Sequence, residues 1–425
     1  MKTVVLVGQL TDISGYGHGA RSYFSNLLDL DRRGLIELKL INLSFESVIY
    51  KDKKLDKDYN EKLIASVLPD GRGKRSFGIV DNKFFDEISN GNKKYSVVFF
   101  LTNDWLNTFT EKAFPGVNLE PIASFLKNAE EIYPCVVWET DKPPSSWLAG
   151  YKRYEDKISK LICACDWNKE QFSKHTNFET VKIPYTINEK LLVDDDFISE
   201  RLSGLENKFN FVTVGQWGNR KGFDKLIKAF LLEFKDDKDV NLIIKSYRNA
   251  TFQPNVSERQ FFKDEIEKIK DQVKMYGRQI KSDAKIVIIS SILSAEQINS
   301  LYHVSDCYVT TTRGEGFCYP IAEYSWFGKP IISPSKGGHT DLLPEGSMMI
   351  DSSYEPVENQ PSLYSSDMNY VECSINSTRN KMRTIYNLKI NNSDDYDKLG
   401  KQHLSHIKQY LNHERITSLF EEALR

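Results

Sequence analysis

Several things are missing from this sequence, and each absence removes a class of function. Its six cysteines, at 135, 163, 165, 307, 318 and 373, form no C-x-x-C pair, which argues against a zinc ribbon and fits a reduced, cytosolic protein. No apolar run approaches the roughly 18–20 residues needed to span a bilayer. The opening stretch MKTVVLVGQL reads as a buried strand without a signal-peptide cleavage pattern. The net charge of −2 provides no global field toward nucleic acid or anionic lipid, although a local basic patch is compatible with it. Neither glycine loop is a dinucleotide or P-loop signature: GYGHGA lacks the G-x-G-x-x-G spacing, and GQWGNRKG lacks Gly-Lys-Ser/Thr. Internal repeats and low-complexity tracts are also lacking.

What is present is a twice-repeated texture. In 425 residues, 40% hydrophobic and 12% aromatic, there is material for two or three domains with real cores. The run Val4–Val7 leads into the loop Gly15–Gly19, after which Ala20, Tyr23, Phe24, Leu27 and Leu28 recur at helical spacing. Strand candidates follow in LKLINLS, YSVVFFLT, PCVVWET and KLICACD. Near residue 190 the texture becomes charged. The pattern then restarts with FNFVTVGQWGNRKGFDKLIKAF and continues through VNLIIKSY, KIVIISSIL, DCYVTTT and KPIISPS. Such alternation predicts an α/β protein with two Rossmann-like, doubly wound domains facing each other across a cleft, with ligands at the carboxyl ends of the strands. The expected division is 1–190, a linker at 191–209, 210–395, and a C-terminal helix at 396–425 packing back across the domains.

The segment TTRGEGFCYPIAEYSWFGKP carries the chemistry. The strand DCYVTTT should end near Thr312, RGEG should be a loop, and YPIAEYSWFG a helix with Pro320 in its first turn and Gly328 near its end. Glu315 then lies over the helix start and Glu323 one turn inside it, beside the amides of Gly316, Phe317 and Cys318. Free N–H groups at a helix start attract an anion, and carboxylates accept hydrogen bonds from vicinal hydroxyls. A pyrophosphate flanked by two sugars has that polarity, and its hydroxyls would satisfy a carboxylate that is costly to bury alone. Taken singly, Glu315 reads as a cap and Glu323 as a solvent-facing residue. The neighbours Arg220 and Lys221 in NRKG, Lys245 at the end of NLIIK, and SKGGHTDLL tip the balance toward a site.

From about Phe211 to Leu343 the sequence resembles the donor-binding domain of GT-B-fold retaining glycosyltransferases, the glycogen-synthase and mannosyltransferase-like family. Its E-x7-E pattern stands here as Glu315-GFCYPIA-Glu323, and VGQWGNRKGFDKLIKAF resembles its donor-phosphate loop. The N-terminal half matches in outline only. The resemblance implies that Glu315 contacts the transferred sugar, Glu323 the ribose, Lys221 the diphosphate, and the amides of Gly316 and Phe317 sugar and phosphate. It also implies that Gly15 and Gly17 let an N-domain loop approach the diphosphate. Two positions depart from the family. Gln216 stands where an Arg is common, leaving Arg220 to take that charge, and Glu139 stands where a His is common. The implied reaction is retaining transfer from a nucleoside-diphosphate sugar, UDP-sugar favoured and GDP-sugar admitted, with no cofactor or metal. The run Asp194–Asp196 reads as solvated charge rather than a metal site.

Acceptor identity is the least legible part. The stretch Lys51–Arg75 holds eight Lys/Arg against five Asp/Glu, so Lys51, Lys53 and Lys54 are candidates for contact with an anionic acceptor. A hydroxymethylated pyrimidine in DNA, as modified by some bacteriophage enzymes of this fold, is one expectation; a phage protein would work in host cytoplasm. The alternatives are a glycan, lipid-linked or small-molecule acceptor, a nucleotide-sugar epimerase, and a non-catalytic nucleotide-sugar binding protein. Monomer and homodimer are both compatible with the sequence.

Overall fold

A computed structural model describes residues 1–12, 14–44, 76–79, 93–108, 120–189, 192, 205, 207–248, 256–275, 285–358 and 363–425. The chain divides into two compact units. Unit 1 comprises Met1–Ile187, Asn359–Ser365 and Leu411–Arg425; unit 2 comprises Asn188–Glu358 and Ser366–Tyr410.

Unit 1 is built on a seven-stranded sheet of order β3-β2-β1-β4-β5-β6-β7. Its strands are β1 (Lys2–Gly8), β2 (Ile36–Ser44), β3 (Ser76–Ile79), β4 (Ser96–Phe100), β5 (Glu131–Val136), β6 (Lys160–Cys163) and β7 (Glu179–Lys182). All pairs are parallel except β2 with β3. Val4 to Val7 are wholly buried in a strand paired on both sides, which explains why that run is continuous rather than alternating. The helix Gly15–Arg32 follows. Ser14 caps it by accepting the Gly17 N–H at 3.2 Å, and Ala20, Tyr23, Phe24, Leu27 and Leu28 are all buried.

The terminal stretch expected as one helix is two, Ser393–Tyr410 and His413–Leu424. The break falls at Leu411–Asn412, where the Asn412 side chain accepts the Arg415 N–H at 3.0 Å and caps the second helix. That second helix belongs to unit 1. Its Phe420 meets Tyr23 edge-on, with ring centres 4.7 Å apart, and its Thr417 hydroxyl donates to Asn26 Oδ1 at 3.0 Å.

Unit 2 has a six-stranded sheet of order β10-β9-β8-β11-β12-β13. These are β8 (Phe209–Val214), β9 (Val240–Lys245), β10 (Lys285–Ile289), β11 (Cys307–Val309), β12 (Ile331–Pro334) and β13 (Met348–Ile350), all parallel. Phe211, Phe230, Phe234, Ile244 and Met382 lie in the core between sheet and helices. An antiparallel pair, β14 (Ser352–Pro356) and β15 (Asn369–Cys373), is separate from the sheet. β11 ends earlier than Thr312, because the Thr310 hydroxyl captures the Thr312 N–H at 3.2 Å and turns the chain out of the ladder.

Candidate functional site

Two segments at strand carboxyl ends of unit 2 come together. One is the single 3₁₀ turn Asn219–Lys221 after β8; the other is the loop Arg313–Cys318 after β11. Gly222 makes their approach feasible. It has φ +65°, and a Cβ there would sit 2.0 Å from the Thr311 carbonyl oxygen, so only glycine fits. Thr311 Oγ1 donates to the Gly222 carbonyl at 2.7 Å, and the Arg313 N–H donates to the Arg220 carbonyl at 2.6 Å.

Glu315 lies at the join, 6% exposed. Lys221 Nζ is 2.5 Å from Oε1, Thr312 Oγ1 donates to Oε1 at 3.1 Å, and Arg220 Nη1 stands 3.4 Å from Oε2. Burial alone would raise its pKa, but the Lys221 and Arg220 charges and the Lys221 hydrogen bond outweigh it and hold the carboxyl down at about 2. Glu315 is therefore an ionised, buried carboxylate gripped by two cations. Behind it, the Gly338 N–H donates to the Glu315 carbonyl at 2.8 Å, and His339 is buried with Nε2 2.9 Å from the Pro334 carbonyl.

Glu323 is the opposite case. It sits in the helix Tyr319–Ser325, partly exposed, and accepts the Tyr302 hydroxyl at 3.2 Å. Among the described residues it makes no ion pair. Burial pushes its carboxyl up to about 7, with the Tyr302 hydrogen bond opposing. The E-x7-E spacing thus joins two carboxyls that titrate on either side of the usual range. The helix carrying Glu323 starts from Cys318 with φ 79°, the sole non-glycine residue in the left-handed region among those described. Such an outlier marks a segment held by its surroundings. Phe317 and Gly316 are buried in the same segment, with the Phe317 ring packed on Tyr319 at 5.1 Å between centres.

The other expected residues are dispersed. Lys245 ends β9, buried, and burial lowers its pKa while Glu258 opposes. Gln216 is exposed after β8. In unit 1, Glu139 follows β5 and accepts the Tyr364 hydroxyl at 3.2 Å, while Tyr364 stacks on Trp138 with centres 5.0 Å apart. Gly17 has a packing reason for lacking a side chain, since a Cβ would lie 2.0 Å from the Asp12 carbonyl oxygen; Gly15 has open space around it. Lys51, Lys53, Lys54 and Asp194–Asp196 lie outside the described residues. Sequence reasoning passed over Thr312, Arg313, Tyr302 and Tyr364. Arg313 stood in plain view beside the first glutamate, whereas nothing in the sequence ties Tyr364 to Glu139, 225 positions earlier.

Residues 194–352 match the family Glycosyl transferases group 1. Among solved structures, Anabaena Alr3699/HepE in complex with UDP and glucose aligns over 100% of this chain and 99% of its own, with TM-score 0.56 and 12% identity. An E. coli trehalose-6-phosphate structure bound with UDP-2-fluoro glucose aligns over 100% and 99%, with TM-score 0.58 and 10% identity. The N-terminal domain of Candida albicans trehalose-6-phosphate phosphatase aligns over 100% and 96%, with TM-score 0.60 and 12% identity. No curated protein matches the sequence. The structural likenesses show the fold, which is GT-B. The chain carries a group 1 glycosyltransferase domain, and it is a glycosyltransferase. Among the described residues no helix is long and apolar enough to cross a membrane, and no cluster of three or more His, Cys, Asp or Glu side chains is arranged to hold a metal ion.

Proposed function

We propose that the chain transfers a sugar from a UDP-sugar to an acceptor hydroxyl with retention at the anomeric carbon. The observation that supports this reading is the gripped carboxylate: Glu315 buried against Lys221, Arg220 and Thr312 at the strand ends of unit 2. The difficult step in such a transfer is departure of the diphosphate from an oxocarbenium-like centre. Lys221 and Arg220 are fixed cations for the developing negative charge, and their cost of orientation is already met in the free protein. Glu315 keeps both cations in place and offers its carboxylate to a sugar hydroxyl; Glu323 accepts from the ribose. The choice of uridine follows the UDP and UDP-2-fluoro glucose bound in the HepE and E. coli structures.

Lys221→Ala tests the donor half. UDP affinity by calorimetry is expected to fall by roughly 1.5–3 kcal/mol, the scale of a charge-assisted hydrogen bond. Unchanged UDP binding in both Lys221→Ala and Glu323→Ala would sink the assignment.

For the acceptor, the sequence favours an anionic molecule through the net +3 of Lys51–Arg75, with hydroxymethylated DNA as the specific proposal. Glu139 is proposed to orient the acceptor hydroxyl or take its proton. Transfer to hydroxymethylcytosine duplex should then fall steeply with salt, while hydrolysis of the donor by water changes little. Mass spectrometry of digested nucleosides reads the product. No added sugar mass with any donor that binds would leave a glycan or small-molecule acceptor as the better reading.

A further inference from the structure

We infer that Arg313 is a positioning residue that locks the Asn219–Lys221 turn against the Glu315 loop and so sets how Lys221 and Arg220 meet an anionic donor. This rests on the donor-site reading above. The Arg313 side chain is 9% exposed. Its Nη1 donates to the Asn219 carbonyl at 2.6 Å and to Asn219 Oδ1 at 3.0 Å. The same nitrogen and Nη2 form a paired contact with Asp224, at 2.9 and 3.0 Å. Nε and Nη2 reach Glu372 on β15, at 2.6 and 3.3 Å. The main chain adds two more ties, because the Arg313 N–H donates to the Arg220 carbonyl at 2.6 Å and its carbonyl accepts the Val371 N–H at 2.8 Å. Lys225 completes a balanced set of two cations and two carboxylates, 2.5 Å from Glu372.

This arrangement governs the turn itself. The Asn219 carbonyl is taken by the Arg313 guanidinium, and the Arg220 carbonyl by the Arg313 N–H and by Thr312 Oγ1 at 3.2 Å. The two residues next to Lys221 are thus pinned to the loop that ends in Glu315. A planar fork with five donors can hold Asn219, Asp224 and Glu372 at once; an ammonium cannot. Arg313 itself has its donors turned to protein acceptors, so its effect on a donor passes through the residues it holds.

The test combines Arg313→Gln, Arg313→Lys and Lys221→Ala, singly and as Arg313→Gln/Lys221→Ala, with calorimetry of UDP, donor hydrolysis and melting temperature. Arg313→Gln is expected to weaken UDP about tenfold, since small misplacement of a fixed charge is costly. In the Lys221→Ala background the same change should cost clearly less than in the wild type, because one of the two cations it positions is gone. Arg313→Lys should regain part of the melting temperature and little of the UDP affinity. A fall in melting temperature with UDP affinity intact, or a full loss of affinity added on top of Lys221→Ala, overturns the positioning role. Lys221→Ala that leaves UDP affinity intact overturns the donor-site reading instead. Should Arg313→Gln not fold, Arg313→Lys and Asp224→Asn carry the same comparison.

Discussion

Glu315→Gln is expected to lose turnover by about 10²–10³-fold, the scale of removing a preorganised group from the reacting centre, while UDP affinity holds or rises. In the free protein Glu315 neutralises Lys221 and Arg220, so an incoming diphosphate must share those cations with it. A neutral amide releases that competition, and it also removes the carboxylate presented to the sugar and the ion pairs with Lys221 and Arg220. The same substitution has a stability signature. The Glu315 pKa is depressed to about 2 in the folded protein, so its contribution is present above the ordinary carboxylate pKa and is lost as pH falls toward 2. The shift corresponds to ~3 kcal/mol. Glu315→Gln should therefore be destabilised at pH 7 and lose less than wild type on acidification from pH 5 to 3. Denaturant melts at those pH values read this directly. Equal losses of UDP affinity and turnover, with an unchanged acid limb, would make Glu315 a structural cap and nothing more.

Glu323→Gln should behave in the opposite sense. The folded protein raises this carboxyl to about 7, so ionising it costs stability that grows between the usual carboxylate pKa and pH 7 and stays constant above. Removing the charge is expected to stabilise the ligand-free protein at pH 8 by about 1–2 kcal/mol, the partial exposure of Glu323 discounting the full shift, with no gain near pH 4. The penalty is consistent with a group kept for binding. If the ribose hydroxyls donate to the ionised form, UDP-sugar affinity should rise from pH 6 to 8 as the competent fraction grows, and Glu323→Gln should flatten that slope. A UDP-sugar suits the measurement because its diphosphate has no ionisation in that window. A wild-type affinity independent of pH, or a variant no more stable at pH 8, refutes the account.

The sequence carried some of this and not the rest, for physical reasons. The parallel sheets were readable because a strand buried on both faces must be apolar throughout, as Val4–Val7 and the NLIIK run are. Glu315 and Glu323 were readable because a fixed spacing around a strand-to-helix turn constrains both. Short strands with exposed faces, such as β7 and β14, left no pattern above loop composition. The pairing of Lys221 with Glu315 spans 94 positions, and that of Arg313 with Glu372 spans 59, so neither leaves a local trace. Opposite titration of two glutamates in one motif could not be read at all, because it depends on which cations the fold brings near each. The terminal helix was misjudged because an amphipathic period continues across Leu411–Asn412, and Asn412 caps as readily as it sits on a helix surface.

The patchwork composition of unit 1 bears on how the chain is made. Its helix His413–Leu424 supplies Phe420 to the Tyr23 ring and Thr417 to Asn26, yet these residues are translated more than two hundred positions after Ile187. Tyr23 and Phe420 lie almost 400 positions apart, so at ~5–20 residues per second the first helix waits ~20–80 s with that face uncovered. All of unit 2 is translated within this interval and can collapse first. The nascent unit 1 meanwhile presents Tyr23 and its neighbours to whatever apolar surface is at hand. Vectorial synthesis thus lets the second half of the molecule complete its own core before the first half receives its last helix.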